Sequence, residues 1–237
     1  RRRMRPPAFR RVRLDAVSRA FGRGYALYEV STELHAGEVV AVLGPNGAGK
    51  STLLALLATL DRPTSGRITF GEAVDAVQQR WLVRPHVGVV AHETLVYAEL
   101  TGRENLEFCA DLNGVARGRV DDWLDRVGLV HGADKPVATY SRGMRQRLAI
   151  ARALLTEPTI VLLDEPLTGL DAGGRALLAE TVRWLRQEER VVVMVTHHLD
   201  WPHHEVDRAL VLDQGRLRYD GPSDAAFGEV YARGVAP

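Results

Sequence analysis

Residues 44 to 51 read Gly44-Pro45-Asn46-Gly47-Ala48-Gly49-Lys50-Ser51, a G-x-x-x-x-G-K-[ST] pattern, and no other stretch of this chain restricts its fold as strongly. The buried-strand pattern Glu38 to Leu43 runs into it, and an apolar helix starting near Gly49 runs out of it. Each residue type has a task there. Glycines allow the main-chain N–H groups to turn inward, and the helix N-terminus adds positive potential. Lys50 reaches the outer phosphates of a polyphosphate, and the Ser51 hydroxyl can ligate Mg²⁺. A chance match in a chain of this length is on the order of 1%. The chain has 29 arginines and two lysines, Lys50 and Lys135, so lysine stands where a compact ammonium is needed.

A second strand, Ile160 to Leu163, delivers the adjacent carboxylates Asp164 and Glu165 ahead of Pro166. Such an end is where α/β sheets place their ligands. Because successive side chains of a strand diverge, Asp164 can serve the Mg²⁺ shell while Glu165 polarises an attacking water. Without the glycine-rich turn, a bland loop would explain this pair equally well.

The rest of the chain alternates strand and helix signals. Arg11 to Val17 and Ala26 to His35 are β-rich, and residues 103 to 155 are mostly helical. Within that middle, Arg119 to Val127 and Met144 to Leu155 carry apolar residues at helical spacing, with Met144, Leu148, Ala151 and Leu155 on one stripe. Strands return at Val191 to Val195 and Ala209 to Leu212, separated from Ile160 to Leu163 by a helix over Ala176 to Leu185. The fold class is therefore α/β with a largely parallel core, one domain with sub-lobes.

At 237 residues, 46% hydrophobic and 26% charged, the chain can bury a sizeable core, and disorder is excluded. Its apolar runs fall far short of the roughly 18 residues of a membrane span. With no secretory signal visible and one cysteine, Cys109, read as packing, a reducing cytoplasmic setting is expected. The net charge of +1 conceals a split: seven arginines and no acid occupy residues 1–14. That arm could touch anionic lipid or nucleic acid, but is read as a solvated tail. His197, His198, His203 and His204 cluster without a third-ligand pattern, and no metal site is read there.

Residues 10 to 220 resemble the ATP-binding cassette (ABC) ATPases, on the Gly44 to Ser51 turn, the Ile160 to Pro166 strand and three further motifs in the expected order. Tyr140-Ser141-Arg142-Gly143-Met144 is similar to the family's signature loop, Thr168-Gly169-Leu170-Asp171 to its dimer-contact loop, and Val195-Thr196-His197 to its switch histidine. The resemblance implies a P-loop fold with a RecA-like parallel sheet, an antiparallel β sub-lobe and a helical sub-lobe at about 93–155. Residues 1–9 and 221–237 would be tails. It implies that Gly44 to Thr52 hold Mg²⁺-ATP and that Glu165 and His197 are catalytic. Ser51, Asp164 and Glu93 would serve the metal. Ser141, Gly143 and Asp171 would meet nucleotide across a homodimer. An aromatic should stack on adenine, Phe21 being favoured over Tyr25 and Tyr28. Arg142 and Met144 replace the family's usual Gly and Gln.

After the Val87 to Val90 strand the family carries a glutamine that couples the Mg²⁺ site to the membrane partner. This chain reads Ala91-His92-Glu93-Thr94, so His92 or Glu93 takes that place. Together with Tyr97-Ala98-Glu99-Leu100-Thr101 and the signature loop, this segment looks like the cytochrome c biogenesis haem-exporter ATPases. That branch implies integral membrane permease subunits, no nucleic acid partner, and residence at the cytoplasmic face of the bacterial membrane. Another exporter ATPase is the alternative, and an ABC ATPase acting on DNA or ribosomes a more distant one.

Overall fold

The computed structural model describes residues 9–91, 93–196 and 205–223. Strands β1 (Arg11–Phe21) and β2 (Gly24–His35) form an antiparallel pair, extended past β1 by β4 (Ser65–Phe70) and β5 (Val74–Asp75) into a four-stranded sheet. Alternation along β1 buries Val12 and Leu14 and leaves Arg11 and Arg13 at the surface. A bulge then shifts the phase. Ala16 takes φ 46°, the pairing jumps from Leu14 to Val17, and Val17 is buried where strict alternation would place a polar residue.

The second sheet has six strands in the order β10-β9-β3-β8-β7-β6: β3 Val39–Leu43, β6 Val87–Val90, β7 Ile160–Asp164, β8 Val191–Val195, β9 Arg208–Asp213 and β10 Arg216–Pro222. All neighbours pair in parallel except β10, which runs antiparallel to β9. The central strands are apolar at every position because both faces are covered. Val161, Leu163, Val192 and Met194 face one core with the helices, and Ile160, Leu162, Val191 and Val193 face another with the antiparallel sheet.

Six α-helices lie among the described residues: α1 Lys50–Leu57, α2 Arg80–Val83, α3 Gly102–Asn113, α4 Gly118–Arg126, α5 Arg142–Leu154 and α6 Ala172–Gln187. Local chemistry sets several of their starts. Thr101 and Glu104 form a reciprocal capping box at α3. Asp171 caps α6, so that helix begins four residues before the apolar spacing suggests. Half-buried Cys109 packs against the helical core and Leu148, Ala151 and Leu155 are buried in it, as their spacing predicts. No helix among the described residues is long and apolar enough to cross a membrane.

Candidate functional site

The chain leaves β3 at Leu43 and reaches α1 through residues 44–49, a turn that presses against two neighbouring strands. A Cβ at Gly44 would collide with the Leu212 carbonyl oxygen, and one at Gly49 with that of Ala26. Both glycines also hold positive φ, 145° and 102°. Glycine is required at each place by space and by conformation together. The result is a cradle closed from behind by β2 and β9, with its open side at the helix N-terminus.

Lys50 opens α1 and is buried, and its ammonium donates to the Gly44 carbonyl at 2.7 Å and the Pro45 carbonyl at 2.9 Å. Burial lowers its pKa from the ordinary lysine value, opposed by the charges of Glu165 and Asp164. The cation therefore lies in the field of the two carboxylates, which β7 delivers at its carboxyl end. Glu165 itself has φ 49°, the left-handed region, while its N–H donates to the Val195 carbonyl at 2.9 Å. For a residue with a Cβ this conformation costs about 1–2 kcal/mol, and strain of this kind gathers at working sites. It is invisible in the residue pattern.

A cleft of about 600 Å³ collects these groups. Phe21, Asn46, Gly47, Gly49, Lys50, Ser51 and Thr52 line it together with Asp164 and Glu165, and Ala26 and Val195 complete the wall. Gly44, Pro45 and Ala48 belong to the same turn, and Ala48 donates to the Pro45 carbonyl at 3.1 Å. Of the three aromatics weighed from sequence, only Phe21 lines the cleft. Tyr25 stands edge-on to Tyr28 at 5.0 Å, and Tyr28 is covered by the Arg216 guanidinium at 4.1 Å. Phe21 is half exposed, with Arg19 over its ring at 4.4 Å. Ala26 was not expected at the site, because its contribution comes from the path of β2.

Other expected groups sit elsewhere. The Ser141 hydroxyl caps α5, accepting from the Met144 N–H at 3.2 Å. Neither Ser141 nor Gly143 is among the residues lining the Lys50 cleft. The Arg142 stem lies directly over Gly169, so the signature loop and the Thr168–Asp171 loop touch within one chain. Asp171 accepts from the Gly174 N–H at 2.7 Å, which engages its carboxylate as a helix cap. Glu93, expected as a metal ligand, lines a separate pocket of about 370 Å³ with Thr94, Arg142 and Arg145. Two guanidiniums there suit its carboxylate, and the Lys50 cleft is lined without it. His92 and His197 lie outside the described residues.

The cleft residues can cradle a polyphosphate, neutralise it with Lys50 and present a carboxylate to it. Relatives point the same way. Residues 27–168 match the model of the ABC transporter family. The daunorubicin resistance ATP-binding protein DrrA3 of Streptomyces coeruleorubidus is 39% identical over 222 residues, 92% of this chain and 70% of the relative. The ABC transporter ATP-binding protein NatA of Bacillus subtilis is 35% identical, covering 85% of this chain and 84% of its own. Among solved structures, an ATP-binding cassette in a dimeric post-hydrolysis state bound to ADP and Pi superposes with a TM-score of 0.80. It is 28% identical and covers 90% of this chain and 99% of the other. The fold, the cradle facing two carboxylates and these likenesses agree: the chain belongs to the ABC transporter family, as one of its ATP-hydrolysing cassettes.

Proposed function

We propose that this chain is the ATPase subunit of a membrane exporter, acting as an ATP-closed homodimer on integral membrane permease subunits at the cytoplasmic face of a bacterial membrane. The observation that carries the reading is one cleft holding Lys50, Ser51 and Thr52 opposite Asp164 and Glu165. ATP is the substrate. Mg²⁺ fits the donor set, since a hydroxyl (Ser51) and a carboxylate (Asp164) share the cleft, and Mg²⁺ takes few protein ligands beside phosphates and waters. When bound, the ion would neutralise charge on the outer phosphates. Lys50 binds and orients those phosphates, Phe21 offers its ring to the base, and Glu165 takes the proton of the attacking water. His197 is assigned a γ-phosphate contact on its motif alone.

Residues 10–220 are taken as the ATPase module, with 93–155 as its helical sub-lobe. Ser141 and Gly143 are proposed to meet the nucleotide of a second copy, because they lie away from the residues lining their own chain's cleft. The membrane subunits are proposed to dock on the segment from Glu93 into α3, where Leu95, Tyr97, Phe108 and Leu112 are exposed. Tyr97 and Phe108 pack edge-on at 5.5 Å and present one aromatic patch.

For the cargo, drug-resistance export is the reading that the names of two relatives support. Beside DrrA3, the linearmycin resistance ATP-binding protein LnrL of Bacillus subtilis is 32% identical over 86% of this chain and 66% of its own. Haem export of the cytochrome c maturation type is the second reading, favoured by Ala91 to Thr94, Tyr97 to Thr101 and the signature loop. The test is affinity capture from the native host, followed by co-reconstitution with the captured membrane protein in vesicles loaded with anthracycline or haem. ATP-dependent movement of one cargo selects between the readings. Recovery of ribosomes or DNA with no integral membrane protein would overturn the exporter assignment.

A further inference from the structure

Arg142 does not line the Lys50 cleft, yet it touches the loop that follows Glu165. It is the first residue of α5, and its Cγ, Cδ and Nε lie 2.8, 2.5 and 2.7 Å from where a Cβ on Gly169 would stand. Gly169 also holds φ 78°, so conformation and the Arg142 stem together exclude a side chain there. Arg142 is exposed, and no hydrogen bond or ion pair joins its guanidinium to another described residue. What it brings to Gly169 is the packing of its stem, the part of an arginine that acts without the charge.

The segment under that stem is the one that shapes Glu165. The Glu165 carbonyl accepts the Thr168 N–H at 3.1 Å, and the Leu167 carbonyl accepts the Leu170 N–H at 3.2 Å, so residues 165–170 run through two consecutive turns. They begin at Glu165 with its left-handed φ of 49°. Such a conformation persists only where the surroundings over-determine it.

β8 supplies one hold through the Val195 carbonyl, and α5 supplies two more. Gln146 donates to the Pro166 carbonyl. Arg142 stands four residues earlier on the same face of the helix and covers Gly169. The helix is a firm platform for both. Leu148, Ile150, Ala151 and Leu154 are buried, and Arg147 donates to the Val127 and Gly128 carbonyls at 3.1 and 3.2 Å.

We propose that Arg142 is a positioning residue for ATP hydrolysis. Its stem clamps Gly169 against α5, and the clamped turns keep Glu165 in the left-handed conformation in which it lines the cleft. The inference rests on the assignment of Glu165 as the base. Arg142 stands where the family usually has glycine, which has no stem, so the clamp is a feature of this chain.

The test is phosphate release by the full chain with Mg²⁺-ATP. Arg142→Ala should lower kcat about tenfold and leave KM for ATP within about twofold, since a displaced base costs rate while an intact cleft still binds. Arg142→Met sets an atom at each of the three positions over Gly169 without the charge, and should stay within about threefold of the parent kcat. In a Glu165→Gln background, Arg142→Ala should cost less than about twofold, because it acts through Glu165. Parent rates in Arg142→Ala beside an inactive Glu165→Gln overturn the proposal alone. So does Arg142→Met as slow as Arg142→Ala, which would assign the effect to the guanidinium charge. An equal loss in both backgrounds, or a raised KM with kcat unchanged, would place Arg142 on the nucleotide and also overturn it. Glu165→Gln within about tenfold of the parent would refute the base assignment itself, and this proposal with it.

Discussion

The Gln146 side-chain amide donates to the main-chain carbonyl of Pro166 at 3.3 Å, and Gln146 is only 4% exposed. This joins α5, whose first turn carries the signature residues, to the residue directly after Glu165. Gln146→Leu would keep the packing and leave that buried carbonyl without its donor, at a cost of about 1–3 kcal/mol. Urea denaturation should show a loss of this size, and phosphate release should fall severalfold more than ATP affinity does. Unchanged values in both assays would remove any role for the link.

Lys50→Ala should abolish ATP binding, because no other cation among the described residues lines the cleft. Titration with a fluorescent ATP analogue checks this, and unchanged affinity would refute the assignment. Burial lowers the Lys50 pKa, so the ammonium loses its proton at a lower pH than an exposed lysine would. ATP affinity should accordingly begin to weaken on the alkaline side below the usual lysine range.

Glu165→Gln should retain ATP and lose about 10²- to 10⁴-fold in hydrolysis, the usual contribution of a general base. With ATP the variant should sediment as a dimer, and with ADP as a monomer. A phosphate-release assay showing less than about a tenfold loss would exclude Glu165 as the base.

His86 is buried against Phe9, its Nε2 has no hydrogen-bond partner among the described residues, and burial lowers its pKa. The unfolded chain therefore binds this proton more readily than the folded one. Full stability holds above about pH 6.5, and it is lost as pH falls from there toward the lowered folded value. Thermal melts between about pH 7.5 and 5.5 should show the parent losing more stability than His86→Phe does. Parallel curves would assign the acid sensitivity elsewhere.

Glu93→Ala should leave ATP affinity within about twofold of the parent, since Glu93 is outside the Lys50 cleft. In reconstituted vesicles it should lower cargo moved per ATP hydrolysed, because the residue stands with Arg142 and Arg145 on the proposed docking side. An unchanged coupling ratio would contradict that placement.

The sequence alone determined the Gly44 to Ser51 cradle, the strand ending in Asp164 and Glu165, the parallel core and the order of the ABC motifs. These are short-range matters. A phosphate turn needs glycines at set positions, a strand covered on both faces must be apolar throughout, and a helix needs its caps. Tertiary structure set Phe21, which the sequence favoured over Tyr25 and Tyr28, in the lining of the cleft, and it alone decided that Glu93 lines a separate pocket with Arg142 and Arg145. It also decided that Glu165 is left-handed and that Gln146 reaches Pro166. Each of these depends on elements far apart in the chain. The bulge at Ala16 interrupts the alternation of β1 ahead of Phe21, and the Val195 carbonyl of β8 holds the Glu165 N–H. Such positions follow from how strands and helices pack, which residue spacing along one segment does not encode.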